Sequence, residues 1–203
     1  MIYLTGCIPK KPELRKFLLE NGFGVMLSPV YPKAPDNQWV WAADNGCFNA
    51  KWEEKKWFKW LGTLENPETA MFATVPDVVG DHTVTLERWN TYSSKVRDMG
   101  FVPAFVAQDG ATVGTIPWDE VGYLFIGGTT EFKLSEQART LCVASQERQI
   151  KIHMGRVNSK KRLKLAKQWG VDTADGTHIA FKPDVYTHQL IQWMKEINEE
   201  HDE

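Results

Sequence analysis

Eight short apolar runs recur along the chain, and the segments between them are polar loops or stretches with helical spacing of apolar residues. Most of the runs are nearly continuous, which is typical of parallel strands buried on both faces. Each run therefore predicts one strand of a repeating βα series. The predicted strands are Ile2–Ile8, Gly24–Leu27, Val40–Ala43, Ala70–Val75, Val102–Ala107, Tyr123–Ile126, Ile150–Met154 and Val171–Ala174.

Five of the connecting segments carry helix start and stop signals. Pro12 opens the first and Gly22 follows it, while Ser159 precedes another that ends before Gly170. Proline and serine favour the first positions of a helix, and glycine favours the position after its end. The predicted helices are Pro12–Asn21, Thr83–Met99, Ser135–Gln149, Ser159–Trp169 and Asp184–Glu199.

Strands that alternate with helices predict an α/β protein, and eight of them predict a compact (β/α)8 TIM barrel in which residues 1–203 form a single domain. An open, doubly wound sheet is the alternative. That fold favours a glycine-rich phosphate loop after its first strand, where this chain has Gly6-Cys7-Ile8-Pro9. The pattern therefore favours the barrel.

The composition is that of a soluble globular protein, with 42% apolar residues, 25% charged residues and a formal charge of −2. It excludes a disordered chain and a strongly basic nucleic-acid binder, so a nucleic-acid partner requires a local basic patch. Cys7, Cys47 and Cys142 are far apart, which predicts neither a disulfide framework nor a zinc cluster. Because no apolar run approaches the roughly 20 residues of a membrane span and no signal-peptide pattern is present, we expect a cytoplasmic protein without a membrane anchor.

Catalytic groups of such a barrel lie at the carboxyl ends of its strands. An Asp-Gly or Asn-Gly pair alone is more typical of a turn than of an active site. Several carboxylates at one barrel mouth repel each other unless a ligand or a reaction uses them, so together they predict an active site. The endings in question are Asp44-Asn45-Gly46, Val75-Pro76-Asp77, Gln108-Asp109-Gly110, Gly127-Gly128-Thr129, His153-Met154-Gly155-Arg156 and Asp175-Gly176-Thr177-His178.

These segments, in this order, resemble the tRNA-guanine transglycosylase superfamily, and more closely its DNA-acting branch, the DpdA-like deazapurine-in-DNA transglycosylases of phages and bacterial genomic islands. The likeness covers about residues 40–180. It is carried by Asp44-Asn45-Gly46-Cys47-Phe48, Val75-Pro76-Asp77, Gln108, Ile126-Gly127-Gly128, His153-Met154-Gly155 and Gly170-Val171-Asp172-Thr173-Ala174-Asp175.

Two departures from the tRNA-acting enzymes bear on the substrate. Those enzymes carry a zinc-binding subdomain with clustered cysteines, which this chain cannot supply. Thr129-Thr130-Glu131-Phe132 also stands where they have Leu-x-Val-Gly-Glu. The resemblance therefore implies a barrel without a zinc subdomain, without a metal or cofactor, that acts on DNA.

The resemblance further implies an activity and a set of roles. Members exchange guanine in a nucleic acid for a 7-deazaguanine derivative, a queuosine-pathway base, through a covalent carboxylate intermediate, as retaining glycosidases do. Asp175 matches the nucleophile, with Asp172 as its competitor, and Asp44 matches the acid–base group. The residues that match the guanine-binding positions are Asp77 for the N1–H and amino group, Gln108 and the Gly128 amide for O6, Gly127 for close approach, and His153 as a hydrogen-bonding wall residue.

Two basic groups are candidates for binding DNA. The first follows the seventh strand, which is the usual phosphate-binding quarter of a barrel, and comprises Arg156, Lys160, Lys161 and Arg162. The second interleaves Lys51, Lys55, Lys56 and Lys59 with Trp52, Trp57, Phe58 and Trp60. Such a stripe can stack bases, but it is more typical of a helix that is half core and half solvated. A homodimer or a helper protein is a further expected partner, because the chain is nearly neutral.

Three other functions stay open on the sequence alone. A purine N-glycosylase or nucleoside hydrolase uses the same carboxylates, with water resolving the intermediate. A non-catalytic deazaguanine-binding barrel is the second, and the intact set of Asp44, Asp77 and Asp175 argues against it. A metal-dependent barrel enzyme is the third; its candidate ligands, whose spacing matches no closed zinc motif, are Asp81, His82, His153 and His178.

Overall fold

Eight parallel strands close into a barrel in the computed structural model, which describes residues 1–30, 38–49 and 52–199. Each strand pairs with the next along the chain, and β8 pairs with β1, which confirms the predicted eight-stranded barrel. The strands are β1 Ile2–Thr5, β2 Gly24–Leu27, β3 Trp41–Ala43, β4 Ala73–Thr74, β5 Pro103–Ala107, β6 Tyr123–Ile126, β7 Lys151–Met154 and β8 Thr173–Gly176.

All five predicted helices are present, with ends that differ by a residue or two from the prediction. Two single-turn helices after β6 and β8, and one longer helix after β3, were not predicted. The helices are α1 Pro12–Glu20, α2 Glu54–Leu61, α3 His82–Asp98, α4 Thr130–Lys133, α5 Glu136–Glu147, α6 Lys160–Gln168, α7 His178–Phe181 and α8 Pro183–Glu199. Within the described ranges, none of them is long and apolar enough to cross a membrane.

The observed bounds of β1 and β8 differ from the prediction and matter for the site. β1 ends at Thr5 rather than Ile8, because the Thr5 hydroxyl donates to the Cys7 carbonyl over 2.7 Å and turns the chain. β8 begins two residues later than expected and runs through Gly176. Asp175 is therefore a strand residue, paired with Leu4 of β1, rather than the first residue of a turn.

An apolar cluster fills the barrel below its carboxyl end. It joins strand residues across the barrel, whereas a larger cluster packs the helices against the outside of the strands. Because apolar side chains occupy the lumen, a ligand can enter only at the end where the strands finish. The lumen residues are Leu4, Met26, Ala42, Phe72, Ala104 and Tyr123.

Asp172 lies at the opposite end of the barrel. Its carboxylate accepts hydrogen bonds from Lys151 over 2.9 Å and from the Ile152 amide over 2.8 Å, and its carbonyl accepts from Ile2. These contacts are at the start of β7, β8 and β1. Asp172 therefore holds the amino end of the barrel together, whereas Asp175 lies near the carboxyl end of β8.

Candidate active site

A cavity of about 100 Å3 lies at the carboxyl end of the barrel. Asp44, which follows β3, Asp77, which follows β4, and Asp175 of β8 all line it, so the structure brings the three predicted carboxylates together. Asp44 and Asp175 also line a wider outer groove of about 570 Å3. The site thus consists of a small inner compartment and an open approach, with these two carboxylates at the boundary.

The Asp77 carboxylate is held in one orientation by two amide side chains. Asn45 Nδ2 donates to its Oδ1 over 2.7 Å, and Gln108 Nε2 donates to its Oδ2 over 2.5 Å. The Gly80 amide donates to Gln108 Oε1 over 2.9 Å and so fixes which end of that side chain faces Asp77. Burial raises the pKa of Asp77, and the Asn45 hydrogen bond opposes the rise. The result is an oriented acceptor inside the cavity.

Gln108 therefore has a nearer partner than the guanine oxygen that was predicted for it. One of its N–H groups is committed to Asp77. Its amide nitrogen also lies only 3.0 Å from the position that a Cβ on Gly127 would take, and both residues line the cavity. Gln108 orients Asp77 first, and any contact to a ligand uses its second N–H.

Asp44 is the carboxylate best suited to proton transfer near neutral pH. Burial, followed by the negative charges of Asp175 and Asp77, raises the pKa of Asp44 to about 7. The Gly46 amide donates to its Oδ2 over 3.3 Å and opposes this rise. A group whose pKa lies near the operating pH can serve as acid in one step and as base in the next.

Asp175 is held through one oxygen. His153 Nε2 lies 3.0 Å from Oδ1, and the Arg156 amide donates to the same oxygen over 3.1 Å. Among the residues that the structure describes, both hydrogen bonds to this carboxylate go to Oδ1, and the side chain keeps 16% of its surface exposed. Oδ2 is thus the oxygen available for a ligand.

His153 lies behind Asp175 and is wholly buried, not in the cavity wall where it was predicted to contact substrate. Its ring packs 4.4 Å from Phe125 and 5.1 Å from Phe72, and its Nδ1 lies 2.8 Å from Thr173 Oγ1. Because a carboxylate only accepts hydrogen bonds, Nε2 carries the proton shared with Asp175. His153 is a positioning residue for Asp175.

Gly127 and Gly128 are required by close packing at the end of β6. A Cβ on Gly127 would lie 2.5 Å from Val106 Cγ1, and one on Gly128 would lie 2.6 Å from Asp109 Oδ2. Gly128 also has a φ of +74°, which favours glycine. Its N–H has no hydrogen-bond partner among the described residues, and the residue lines the cavity. This free donor matches the amide predicted for guanine O6.

Lys133, at the end of α4, is a site residue that the sequence analysis missed. Its side chain lines the cavity, yet the residue is only 4% exposed. Burial, followed by the charge of Arg156, lowers the pKa of Lys133 to about 8. The sequence gives little indication of this role, because lysine is almost never buried and the residues around Lys133 form no recognisable motif.

The predicted phosphate-binding group divides in the structure. Arg156 lines the cavity, with its guanidinium 4.2 Å from the Phe48 ring and its Nη2 donating to the Gly128 carbonyl over 2.8 Å. Lys160 is instead ion-paired with Glu196. Lys161 and Arg162 line a surface hollow along α6, and Arg162 also borders a small pocket with Lys133 and Arg156. Of the four residues, Arg156 is the one that lines the cavity with the three carboxylates.

The second basic group behaves as an ordinary amphipathic helix. In α2, Trp57, Phe58 and Trp60 are buried while the intervening lysines are exposed. Trp52 and Trp57 still border the outer groove. Lys51 falls outside the described residues. α2 is therefore a helix with one face in the core and the other in solvent. Of the described residues in this group, only Trp52, Lys56 and Trp57 lie where they could contact a ligand in the outer groove.

The four candidate metal ligands are dispersed. Asp81 caps α3, His82 Nε2 lies 2.8 Å from Thr115 Oγ1, and His178 stacks on Tyr186 with ring centroids 4.4 Å apart. His153 contacts Asp175. Within residues 1–30, 38–49 and 52–199, no three His, Cys, Asp or Glu side chains are grouped so that they could hold a metal ion.

The cap provided by Asp81 leads to a prediction about stability. Its Oδ1 accepts from the Val84 amide over 3.0 Å. We expect Asp81→Ala to lower the free energy of unfolding by about 1 kcal/mol and Tm by about 2–4 °C. Asp81→Ser, which keeps a capping oxygen, is the matched control and should melt close to the wild type. Equal losses in both variants, measured by thermal unfolding, would contradict a capping role.

No protein-family model matches the chain, and no curated protein matches it either.

Proposed function

We propose that the protein is a DNA-guanine transglycosylase, which exchanges guanine in DNA for a 7-deazaguanine derivative through a covalent bond to Asp175. The observation that carries the proposal is the division of three carboxylates in one cavity into three environments. Asp77 is an oriented acceptor, Asp44 has a pKa of about 7, and Asp175 has one oxygen fixed and one available. A base-exchange reaction needs one group of each kind.

The inner cavity suits the hydrogen-bonding edge of guanine. The N1–H and the 2-amino group are neighbouring donors, and the Asp77 carboxylate is the complementary acceptor. The O6 atom is an acceptor, for which the unpartnered N–H of Gly128 is available. Adenine has an acceptor at N1 and a donor at position 6, so it would oppose Asp77 with an acceptor and the Gly128 N–H with a donor, and both mismatches are costly.

The first chemical step breaks the bond between the sugar and guanine. Asp175 Oδ2 attacks C1′, the C1′–N9 bond breaks, and its electron pair leaves with guanine. Asp44 gives its proton to the departing base, which would otherwise leave as an anion. The products are neutral guanine, an ionised Asp44 and a glycosyl ester of Asp175.

The second step reverses these roles. The incoming deazaguanine loses its N9 proton to Asp44 as N9 attacks C1′, and the ester bond to Asp175 breaks. The charge of Asp175 is one of the causes that raise the pKa of Asp44, and esterification removes that charge. The charge of Asp175 therefore helps Asp44 to hold its proton until the first step, and Asp44 is left as a carboxylate once the ester exists.

The outer groove is where a DNA strand would approach the cavity. A base in a duplex must leave the stack before C1′ can reach Asp175. Trp52 and Phe48 border this groove, and aromatic side chains can stack on neighbouring bases. Arg156 stands at the boundary between groove and cavity, where a phosphate contact would hold the strand.

A base-releasing N-glycosylase is the second candidate, and one observation favours it. The Asp175 side chain keeps 16% exposure and borders the open groove, so water has access to an ester there. In that case water, rather than a second base, resolves the intermediate.

The deciding experiment uses the purified protein with duplex DNA, single-stranded DNA and tRNA, each carrying labelled guanine, with and without an added 7-deazaguanine base. We expect label release that depends on the added base, with incorporation of that base into DNA alone. Release without incorporation would identify the glycosylase instead. No release from any of the three substrates would contradict both.

His153 provides a test of how Asp175 is positioned. His153→Phe keeps an aromatic ring between Phe72 and Phe125 but removes the hydrogen bond to the Asp175 carboxylate. A hydrogen bond to a charged group contributes about 1.5–3 kcal/mol, so we expect kcat to fall about 10- to 100-fold. Because His153 lies behind the carboxylate, KM should change little. A loss confined to KM would contradict the positioning role.

A further inference from the structure

The cavity is acidic on one side and basic on the other. Asp44 and Asp77 come from the loops after β3 and β4, whereas Lys133 ends helix α4 after β6 and Arg156 follows β7. Asp175 adjoins the basic side, since the Arg156 amide donates to its Oδ1. Of the charged residues that line the cavity, the proposed function gives roles to the three carboxylates and to Arg156, and it leaves Lys133 without a ligand.

Lys133 is the residue on this side that most needs a ligand. It is 4% exposed, and among the described residues no hydrogen bond or ion pair engages its ammonium group. Burying an ammonium group without an anion or acceptor costs free energy. Because the side chain lines the cavity, a bound ligand can supply what the protein does not.

Arg156 is preorganised beside it. The residue has a φ of +58°, a left-handed conformation that is uncommon for a side chain other than glycine and is often found at functional sites. Its guanidinium is held by the Phe48 ring and by the Gly128 carbonyl, and a guanidinium has five N–H donors. The remaining donors suit the oxygens of a phosphate group.

The geometry points to an anion-binding subsite, formed by Lys133 and Arg156, that takes the phosphate group attached to the reacting nucleoside. The inference rests on the proposed function, because it assigns the second side of the same cavity. With the base against Asp77 and C1′ against Asp175, the sugar carries its phosphate away from the acidic side. Lys133 and Arg156 are the cations that line the cavity there.

The subsite is tested by comparing deoxyguanosine with deoxyguanosine 5′-monophosphate in calorimetric titrations. We expect the wild type to bind the monophosphate at least about tenfold more tightly than the nucleoside. Lys133→Met should remove most of that preference while changing the affinity for the nucleoside less than about twofold. Lys161→Met makes the same change of charge on an exposed position of α6 and should preserve the preference. Thermal melts of both variants confirm that they are folded.

The outcomes separate this inference from the proposed function. Binding of both ligands without a preference for phosphate, or an equal loss of both in Lys133→Met, would overturn the subsite and leave the function standing. Binding of inorganic phosphate that depends on Lys133, without binding of any guanine compound, would support the subsite and overturn the proposed function. No binding of any ligand would overturn both.

A second pair of ligands distinguishes a strand from a free nucleotide as the source of the phosphate. The ligands are a short deoxyoligonucleotide with one guanine and the same strand with uncharged methylphosphonates flanking that guanine. If the strand is the source, the modified strand should bind the wild type as weakly as the unmodified strand binds Lys133→Met. If only the free monophosphate depends on Lys133, the subsite stands and its ligand is a mononucleotide.

Discussion

Asp175→Ala is expected to abolish guanine exchange, with a loss of at least about 10^4-fold in rate, because the proposed ester to C1′ forms on the Asp175 carboxylate. Alanine is preferred to asparagine, since an Asn-Gly pair deamidates readily and would regenerate the carboxylate before Gly176. The fold should survive, because the hydrogen bonds of this side chain among the described residues are only those with His153 and the Arg156 amide. Single-turnover release of labelled guanine measures the loss.

The matched control for this variant is Asp172→Ala, which lies three residues earlier, just before β8. Asp172 bonds to Lys151 and Ile152 at the amino end of the barrel, so its loss should lower stability but leave exchange within about threefold. Mass spectrometry of protein trapped with substrate should find the sugar adduct on a peptide containing Asp175. Full activity in Asp175→Ala together with inactive Asp172→Ala would show that the nucleophile is misassigned.

Asp44→Asn should reduce the release of guanine by about 10²- to 10⁴-fold, the range typical of a lost general acid. In the wild type, Asp44 must hold its proton for this step. Burial raises its pKa to about 7, so we expect the rate to fall as the pH rises through 7. In Asp44→Asn that dependence should disappear. Single-turnover rates between about pH 6 and pH 9 test both statements.

A change of leaving group gives the control for Asp44. 7-Methylguanine is already cationic and departs as a neutral base without taking a proton. Oligonucleotides that carry it should therefore be cleaved by Asp44→Asn with a much smaller defect than guanine shows. An equal defect on the two bases would indicate that Asp44 binds the base rather than protonating it.

Asp44→Asn should also stabilise the protein at higher pH. A folded-state pKa raised above the unfolded value of 3.8 means that the folded protein retains a proton that the unfolded chain releases. Stability is then lost as the pH rises from about 4 through 7. Asp44→Asn lacks this penalty, so its Tm at pH 8 should exceed that of the wild type by at least about 2 °C. The difference should vanish below about pH 4, where both side chains are neutral.

The barrel could be predicted from the sequence because its strands are buried on both faces. A run such as Tyr123–Ile126 has no polar position, and glycine or proline marks the ends of α1 and α6. The bounds of β8 could not be predicted, because Asp175-Gly176 has the signature of a turn. Only the pairing with β1, which is remote in sequence, keeps these two residues in the strand.

The positions of the three carboxylates could be predicted from the sequence, because they follow from where the strands end. Asp44, Asp77 and Asp175 each come at the end of an apolar run, and parallel strands bring such ends together. The contacts that give them different properties were not predictable, since the partners of Asp77 lie 31 and 32 residues away. Lys133 was missed for a related reason: its burial comes from the loops packed around it and not from its own segment.

The balance of charge in the cavity has a consequence for how the reaction responds to salt. While Asp44 holds its proton, Asp77 and Asp175 balance Lys133 and Arg156. After the first step Asp44 has become negative and Asp175 is a neutral ester, so the total charge of these groups is the same. No counterion has to enter or leave as the bond breaks. An increase in ionic strength should therefore weaken the binding of DNA, because binding releases counterions from the phosphates. It should leave the rate of the chemical step nearly constant.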